Sequence, residues 1–245
     1  MESYEDSYTR LFKLIQAGAA TEDRLPPEEV LAGQMGISRV KLRDILAELE
    51  TKGYITRKKG VGTKINHHIF KEKGRLDIDN IYSEVIEESG FKSTVFVRKI
   101  TTMTDVPELV REKLSLEPDE KAIRIEKLVH ADDIPVILIS DYVTSKYFND
   151  VDLDVSLIAM STFCFVQRYC DEILDNIIVH FDACAVDEDI SGTMKLPVGT
   201  PIMKLDSVCY SIDLKPIMFS IEYFNTKIIP FSFHKKVLRS KFFRS

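Results

Sequence analysis

The stretch GISRVKLRDILAELETKGYITRKKGVGTKI, Gly36 to Ile65, decides how the chain is read. Leu42, Ile45, Leu46 and Leu49 stand at i, i+3, i+4 and i+7, so a helix here carries one apolar stripe and must bury it. Ser38 is placed to cap that helix and Gly53 to stop it. Beyond the stop, Tyr54–Arg57 reads as a strand, Lys58–Gly62 as a turn and Thr63–Ile65 as a returning strand. With the leucines turned inward and about 100° between successive residues, Val40, Arg43 and Asp44 point outward, with Arg39 and Lys41 on the flanks. A helix fits the major groove of DNA. There Arg43 can aim two parallel donors at guanine O6 and N7 and Val40 its methyls at thymine, whereas Arg39 and Lys41 suit phosphates. The hairpin adds Arg57, Lys58 and Lys59, and Gly60 and Gly62 let its tip approach a backbone.

Upstream, Tyr8, Leu11, Phe12 and Ile15 repeat the helical spacing within Tyr4–Ala17, and Gly18 ends that helix. Pro26-Pro27 opens a second helix with Val30, Leu31 and Met35 as its apolar face. Gly33 weakens it by about 1 kcal/mol relative to alanine. Gly36 then supplies a tight turn. Three short helices followed by a two-stranded hairpin make a winged helix-turn-helix, predicted to occupy residues 1–66.

The whole chain has 245 residues, 44% hydrophobic and 29% charged, which suits a globular protein of one or two domains. No apolar run approaches the roughly 18 residues of a membrane helix, and the acidic, polar start MESYEDSYTR predicts no secretory signal. Cys164, Cys170, Cys184 and Cys209 lack any CxxC pair, as expected of buried thiols in a reducing compartment. A cytoplasmic location follows. The net charge is −6, yet residues 36–75 hold 11 Lys and Arg against 4 Asp and Glu. Any contact with DNA is therefore confined to that basic patch, because the acidic remainder repels phosphate.

Residues 67–79, HHIFKEKGRLDID, are charged and aperiodic and read as a linker. His67-His68 lacks the partners of a metal frame; no metal, cofactor or catalytic residue is expected. From residue 80 to 245 the pattern alternates. Strands are predicted over 93–100, 122–130, 134–143, 176–186, 201–210 and 216–224, and helices over 107–114, from the cap Ser161 onward with Phe163, Val166 and Tyr169 inward, and over 187–196. The expected fold is α+β: a winged helix-turn-helix followed by an antiparallel-sheet domain.

DRLPPEEVLAGQMGISRVKLRDILAELETKGYITRKKGVGTKI resembles, without a gap, the DNA-binding domain of the GntR family of bacterial regulators, whose usual pattern is LPSERELAEQLGVSRTTVREAL. The resemblance implies a homodimer on a palindromic operator, with the recognition arginines at Arg39 and Arg43 and a wing-tip contact at Gly60–Gly62. Three departures stand out. Glu29 replaces a base-reading arginine, Val40 and Lys41 replace two threonines, and Val61 lies between the wing glycines. Glu29 is repulsive near phosphates, which implies an altered operator preference or weaker binding.

STFCFVQRYC, VDEDISGTMKLPVGTPIMKLDSVCYS and KPIMFSIEYFN, in that order, resemble the UTRA domain of the HutC-type branch of the same family. That implies a fold similar to chorismate lyase and a small-molecule effector. Where phosphosugar-binding members carry Arg-x-Arg, this chain has Lys127-Leu128-Val129. The family's glutamate on the next strand aligns with Ile139, and its later arginine and aspartate with Asn225 and Lys227. This loss of charge implies an effector of low negative charge. Candidate pocket residues are Lys127, Tyr142, Ser161, Thr162, Glu222, Tyr223 and Asn225, with the helix start at Ser161-Thr162 offering backbone N–H groups. Two other functions are weighed: a constitutive DNA-binding dimer without effector, and a chorismate-lyase-like enzyme. Against the enzyme, no GxSxG, HExxH or glycine-rich phosphate loop occurs, and fold alone does not carry activity.

Overall fold

The computed structural model describes residues 2–18, 23–77, 81–148 and 154–236. The chain divides into two compact units, Met1–Asp79 with Phe231–Ser245, and Asn80–Pro230. No helix among the described residues is long and apolar enough to cross a membrane.

In the first unit, α1 (Tyr4–Gly18), α2 (Glu28–Met35) and α3 (Arg39–Thr51) precede the hairpin β1 (Ile55–Lys58) and β2 (Gly62–Ile65). Leu42, Ile45, Leu46 and Leu49 are all buried and pack with Leu11, Ile15, Leu31, Met35 and Ile55 in one core. The predicted stripe of α3 is therefore its core face. Ser38 Oγ accepts from Lys41 N at 3.1 Å, and Gly36 takes the left-handed φ of 63° that the α2–α3 turn requires. One expectation fails on α2. Val30 is 48% exposed, and the buried face is Leu31, Ala32 and Met35. Val30 precedes that face by about 100° and turns to solvent.

The hairpin gains a third segment that the sequence did not reveal. Leu25 N donates to Thr63 O and Ile65 N to Asp23 O, both at 3.0 Å, and Arg24 reaches the tip carbonyl of Val61 at 2.9 Å. Residues 67–77, expected to be a linker, fold into this unit; 78 and 79, the last two of that stretch, lie outside the described residues. A 3-10 turn at Ile69–Lys71 buries Ile69, and Phe70 packs on Phe12 and Tyr54 at ring distances of 5.8 and 4.9 Å. Arg75 is 4% exposed, donates to Lys52 O at 2.8 Å and pairs with Asp77. The chain also returns here after Pro230. Ser232 N donates to Gly74 O and Leu76 N to Ser232 O, both at 3.0 Å, and His234 N donates to Asp77 Oδ1 at 3.1 Å. The boundary at residue 80 thus describes only one of the two crossings, and the expected 80–245 domain ends early.

The second unit is an antiparallel six-stranded sheet. Its strands are β3 (Ser93–Met103), β4 (Ala122–Ala131), β5 (Ile134–Thr144), β6 (Leu174–Ala185), β7 (Pro201–Ser211) and β8 (Pro216–Phe224), in the order β3-β4-β5-β8-β7-β6. Its helices are α4 (Tyr82–Glu88), α5 (Glu108–Leu114), α6 (Val155–Met160), α7 (Thr162–Tyr169) and α8 (Glu188–Met194). The order is symmetric because the chain repeats a strand-helix-hairpin unit: β3-α5-β4-β5, then β6-α8-β7-β8, joined at the β5–β8 pair. Both repeat helices end on a left-handed residue, Ser115 at φ 50° and Lys195 at φ 54°.

Residues directly paired across antiparallel strands share a face. The register therefore separates two sides. On one, α7 and α6 bury Phe165, Val166 and Ile158 against Ile125, Val143 and Met218. On the other, α5 packs Val110 and Leu114 on Tyr142 and Phe219, and α8 packs Ile190 and Met194 beside Leu138 and Tyr223. The expected inward set of α7 is corrected: Phe165 is fully buried, while Phe163 and Tyr169 are only partly covered. The helices α4 and α6 were not predicted.

Candidate functional site

The outward face of α3 presents the side chains that were expected to meet DNA. Val40 is 71% exposed, and Arg39 and Arg43 are exposed with it. Their surroundings differ. Arg43 Nε donates to Glu28 Oε2 at 2.8 Å. Lys41 Nζ bonds to the backbone oxygens of Glu2 and Ser3 at 2.8 and 2.6 Å, which draws it toward the start of α1. Arg39, Lys58 and Lys59 have no ion pair among the described residues.

The wing is set by its base. Arg57 donates to Glu50 from both its backbone N, at 2.9 Å, and its Nε, at 2.8 Å. Burial pushes the Glu50 carboxyl up, but the bonds and charge of Arg57 outweigh it and hold the group below the usual carboxylate range. Gly60 and Gly62 have φ of 78° and 94°, and a Cβ at either would meet open space. Their need for glycine is conformational rather than a matter of room. His67 Nε2 lies 3.0 Å from Asp23 Oδ1, and no group of three or more metal-ligating side chains is assembled among the described residues.

In the second unit, the sheet face beneath α7 holds a buried polar cluster. Lys127 on β4 donates to Thr162 Oγ1 at the start of α7, at 2.7 Å. The same ammonium is 3.1 Å from Asp141 Oδ2 on β5, close enough for an ion pair, although its aligned bond goes to Thr162. Ser220 on β8 donates to Asp141 Oδ1 at 2.6 Å. Two residues along β8, Glu222 accepts from the hydroxyl of Tyr82 on α4, also at 2.6 Å. Lys127, Asp141 and Glu222 are 5%, 3% and 9% exposed.

Burial is the main reason that the Glu222 carboxyl is pushed up to about 7; the Tyr82 bond opposes the shift, nearby Asp141 adds to it and Lys127 reduces it. The folded chain thus keeps a proton that the unfolded chain releases between the ordinary range, near 4.5, and about 7. Raising pH through that window favours the unfolded state. Glu222→Gln should flatten the dependence, raising unfolding free energy at pH 8 relative to pH 5 by about 3 kcal/mol compared with the wild type. Urea unfolding at the two pH values checks it; an unchanged pH slope would show that Glu222 titrates normally.

Of the residues expected to line an effector pocket, Lys127, Thr162 and Glu222 are brought together. Tyr142 and Tyr223 lie on the opposite side of the sheet. Tyr142 stacks on Phe219 at 6.1 Å, and Tyr223 packs with the α8 core. Ser161 Oγ is occupied as the α7 cap, accepting from Cys164 N at 3.3 Å. Asn225 is engaged in the turn after β8, where its N donates to Val136 O at 2.8 Å. Sequence reading missed Asp141, Ser220 and Tyr82. The available signal was the two-residue period: Asp141 falls on the same side as Ile139, one step further along β5.

Two family models match the chain: bacterial regulatory proteins of the gntR family over residues 4–65, and the UTRA domain over residues 88–229. The chain is 24% identical over 210 residues to the HTH-type transcriptional regulator GgaR of Escherichia coli K12, covering 84% of this chain and 80% of that protein. It is 19% identical over 212 residues to the mannosyl-D-glycerate transport/metabolism system repressor MngR of the same organism, covering 83% of each. Among solved structures, the possible transcriptional regulator YydK of Bacillus subtilis superposes with a TM-score of 0.76 at 19% identity, over 96% of this chain and 100% of that one.

Proposed function

Because the chain belongs to the gntR family of bacterial transcriptional regulators, with a DNA-binding domain and an effector-binding UTRA domain, we propose that it is a cytoplasmic repressor that grips a palindromic operator as a homodimer. The carrying observation is the inward leucine stripe of α3, which leaves Arg39, Val40 and Arg43 exposed on the other face. Arg43 reads a guanine in this proposal. Arg39, Lys41, Arg57, Lys58 and Lys59 meet phosphates, and the wing tip at Gly60–Gly62 lies along the backbone.

The dimer forms through the second unit. The edge strand β6 leaves Ile177, Ile178 and Phe181 between 44% and 55% exposed. A long apolar edge of this kind invites pairing unless another chain covers it. The effector binds on the α7 side of the sheet, against Lys127, Thr162 and Glu222 together with Asp141. One ammonium faces two carboxyl groups there, so the cluster has no surplus positive charge for a phosphate dianion. An effector of low negative charge fits it. A ligand that prefers one dimer geometry changes operator affinity by about 5- to 150-fold for a coupling of ~1–3 kcal/mol.

The test begins with duplexes selected from a random library by the wild-type chain. Arg43→Ala should lower the preference for a selected duplex over an unselected one by roughly tenfold or more, the size of a lost bidentate base contact. Equal preference in a folded variant would place the reading surface elsewhere.

A further inference from the structure

We propose that Glu28 is a positioning residue for base reading: it holds Arg43 by Nε, so that the two terminal nitrogens are the ones presented to a guanine. The assignment rests on the reading of α3 as the helix that enters the duplex.

Glu28 is the first residue of α2, and its Oε2 accepts from Arg43 Nε at 2.8 Å. The two helices that carry the pair are fixed to each other. Leu31, Ala32 and Met35 of α2 share a core with Leu42, Ile45 and Leu46 of α3, and the turn between them is set by Gly36. The carboxylate therefore stands on a rigid support rather than on a loop. Its place in the first turn of α2 also favours negative charge, because unpaired N–H groups point outward there.

The Arg43 side chain is 59% exposed and that of Glu28 31%. An ion pair this exposed adds little to stability. Its consequence is geometric. A guanidinium has five donors in a plane, and a carboxylate on Nε fixes that plane while leaving Nη1 and Nη2. Those two match guanine O6 and N7 end-on. An arginine already oriented loses less side-chain freedom on binding than one that must be ordered by the base. Arg39, the first residue of α3, has no comparable carboxylate among the described residues.

Glu28 also carries negative charge beside the surface proposed to meet phosphate, so it weakens contacts that ignore sequence. Removing it has opposite effects on two readouts. Sequence-independent affinity rises and discrimination falls, a pattern that plain destabilisation does not produce.

The experiment uses the full chain, a duplex selected from a random library and an unselected duplex of equal length, at two salt concentrations. Glu28→Gln should bind the unselected duplex more tightly and lose roughly three- to fivefold in discrimination. In an Arg43→Ala background the same change should leave discrimination where Arg43→Ala alone puts it. Circular dichroism and the thermal midpoint confirm folding, and Glu28→Ala serves if Glu28→Gln folds poorly. Glu28→Gln with wild-type discrimination, alongside an Arg43→Ala that loses it, overturns the assignment and leaves the reading helix in place. Arg43→Ala with wild-type discrimination overturns the reading helix and this assignment together.

Discussion

Lys127→Met should destabilise the second unit by about 3–5 kcal/mol, the usual result of leaving a buried carboxylate without its cation. The side chain is nearly the same length, so packing alone changes little. What changes is that Asp141, 3% exposed, keeps only the Ser220 hydroxyl, and Thr162 loses its donor. Glu222 would also be pushed up further, since Lys127 joins the Tyr82 bond in restraining it. The informative companion is Lys127→Met with Asp141→Leu. Replacing both members of a buried pair with apolar groups is often neutral, so the double variant should recover most of the loss. Urea unfolding followed by circular dichroism reads both. A single variant within about 1 kcal/mol of the wild type would mean that the pair is solvated rather than buried.

Leu42→Ala should remove about 2–5 kcal/mol from the first unit, the cost of a cavity at a fully covered leucine. That is a large share of the roughly 5–15 kcal/mol that typically holds a domain together, so DNA binding should fail with it on mild heating. Val40→Ala, two residues earlier on the same helix and 71% exposed, should stay within about 0.5 kcal/mol of the wild type. The contrast measures the orientation of α3 directly. Comparable losses at the two positions would mean that the helix is rotated so that Leu42 no longer faces the core.

Much of this architecture is legible in the sequence, for a physical reason that also explains the gaps. Where one stripe of a helix is buried, as on α3, the 3.6-residue period survives in the letters and Leu42, Ile45, Leu46 and Leu49 can be read directly. On α2 the helix is short, and the boundary residue Val30 is apolar yet turned outward. Strand positions were well placed, but assigning residues to the two sides of the sheet requires the register. Tyr142 and Glu222 look equally suited to a pocket until pairing puts Asp141 and Ser220 on the α7 side and Tyr142 on the other. The Asp23–Leu25 segment of the wing is hidden because it joins mainly by backbone hydrogen bonds, with one side-chain bond from Arg24 to Val61 O, and so leaves no periodic side-chain pattern. The helix α4, Tyr82–Glu88, is only two turns long, so its apolar residues Val85 and Ile86 do not repeat into a readable period and Tyr82 draws no notice. The internal repeat is hidden for a related reason: LEPDEKAIRIEKL (116–128) and LPVGTPIMKLDSV (196–208) share spacing and turn chemistry more than identity.

The return of the chain after Pro230 has a consequence for synthesis. During translation the helices and wing of the first unit emerge early, but the segment that meets Gly74 and Asp77 is made only after the whole sheet of the second unit. The reader is therefore finished last although it is begun first. A premature stop just past Pro230 would spare every strand of the sheet and still leave the nascent DNA-binding module one piece short.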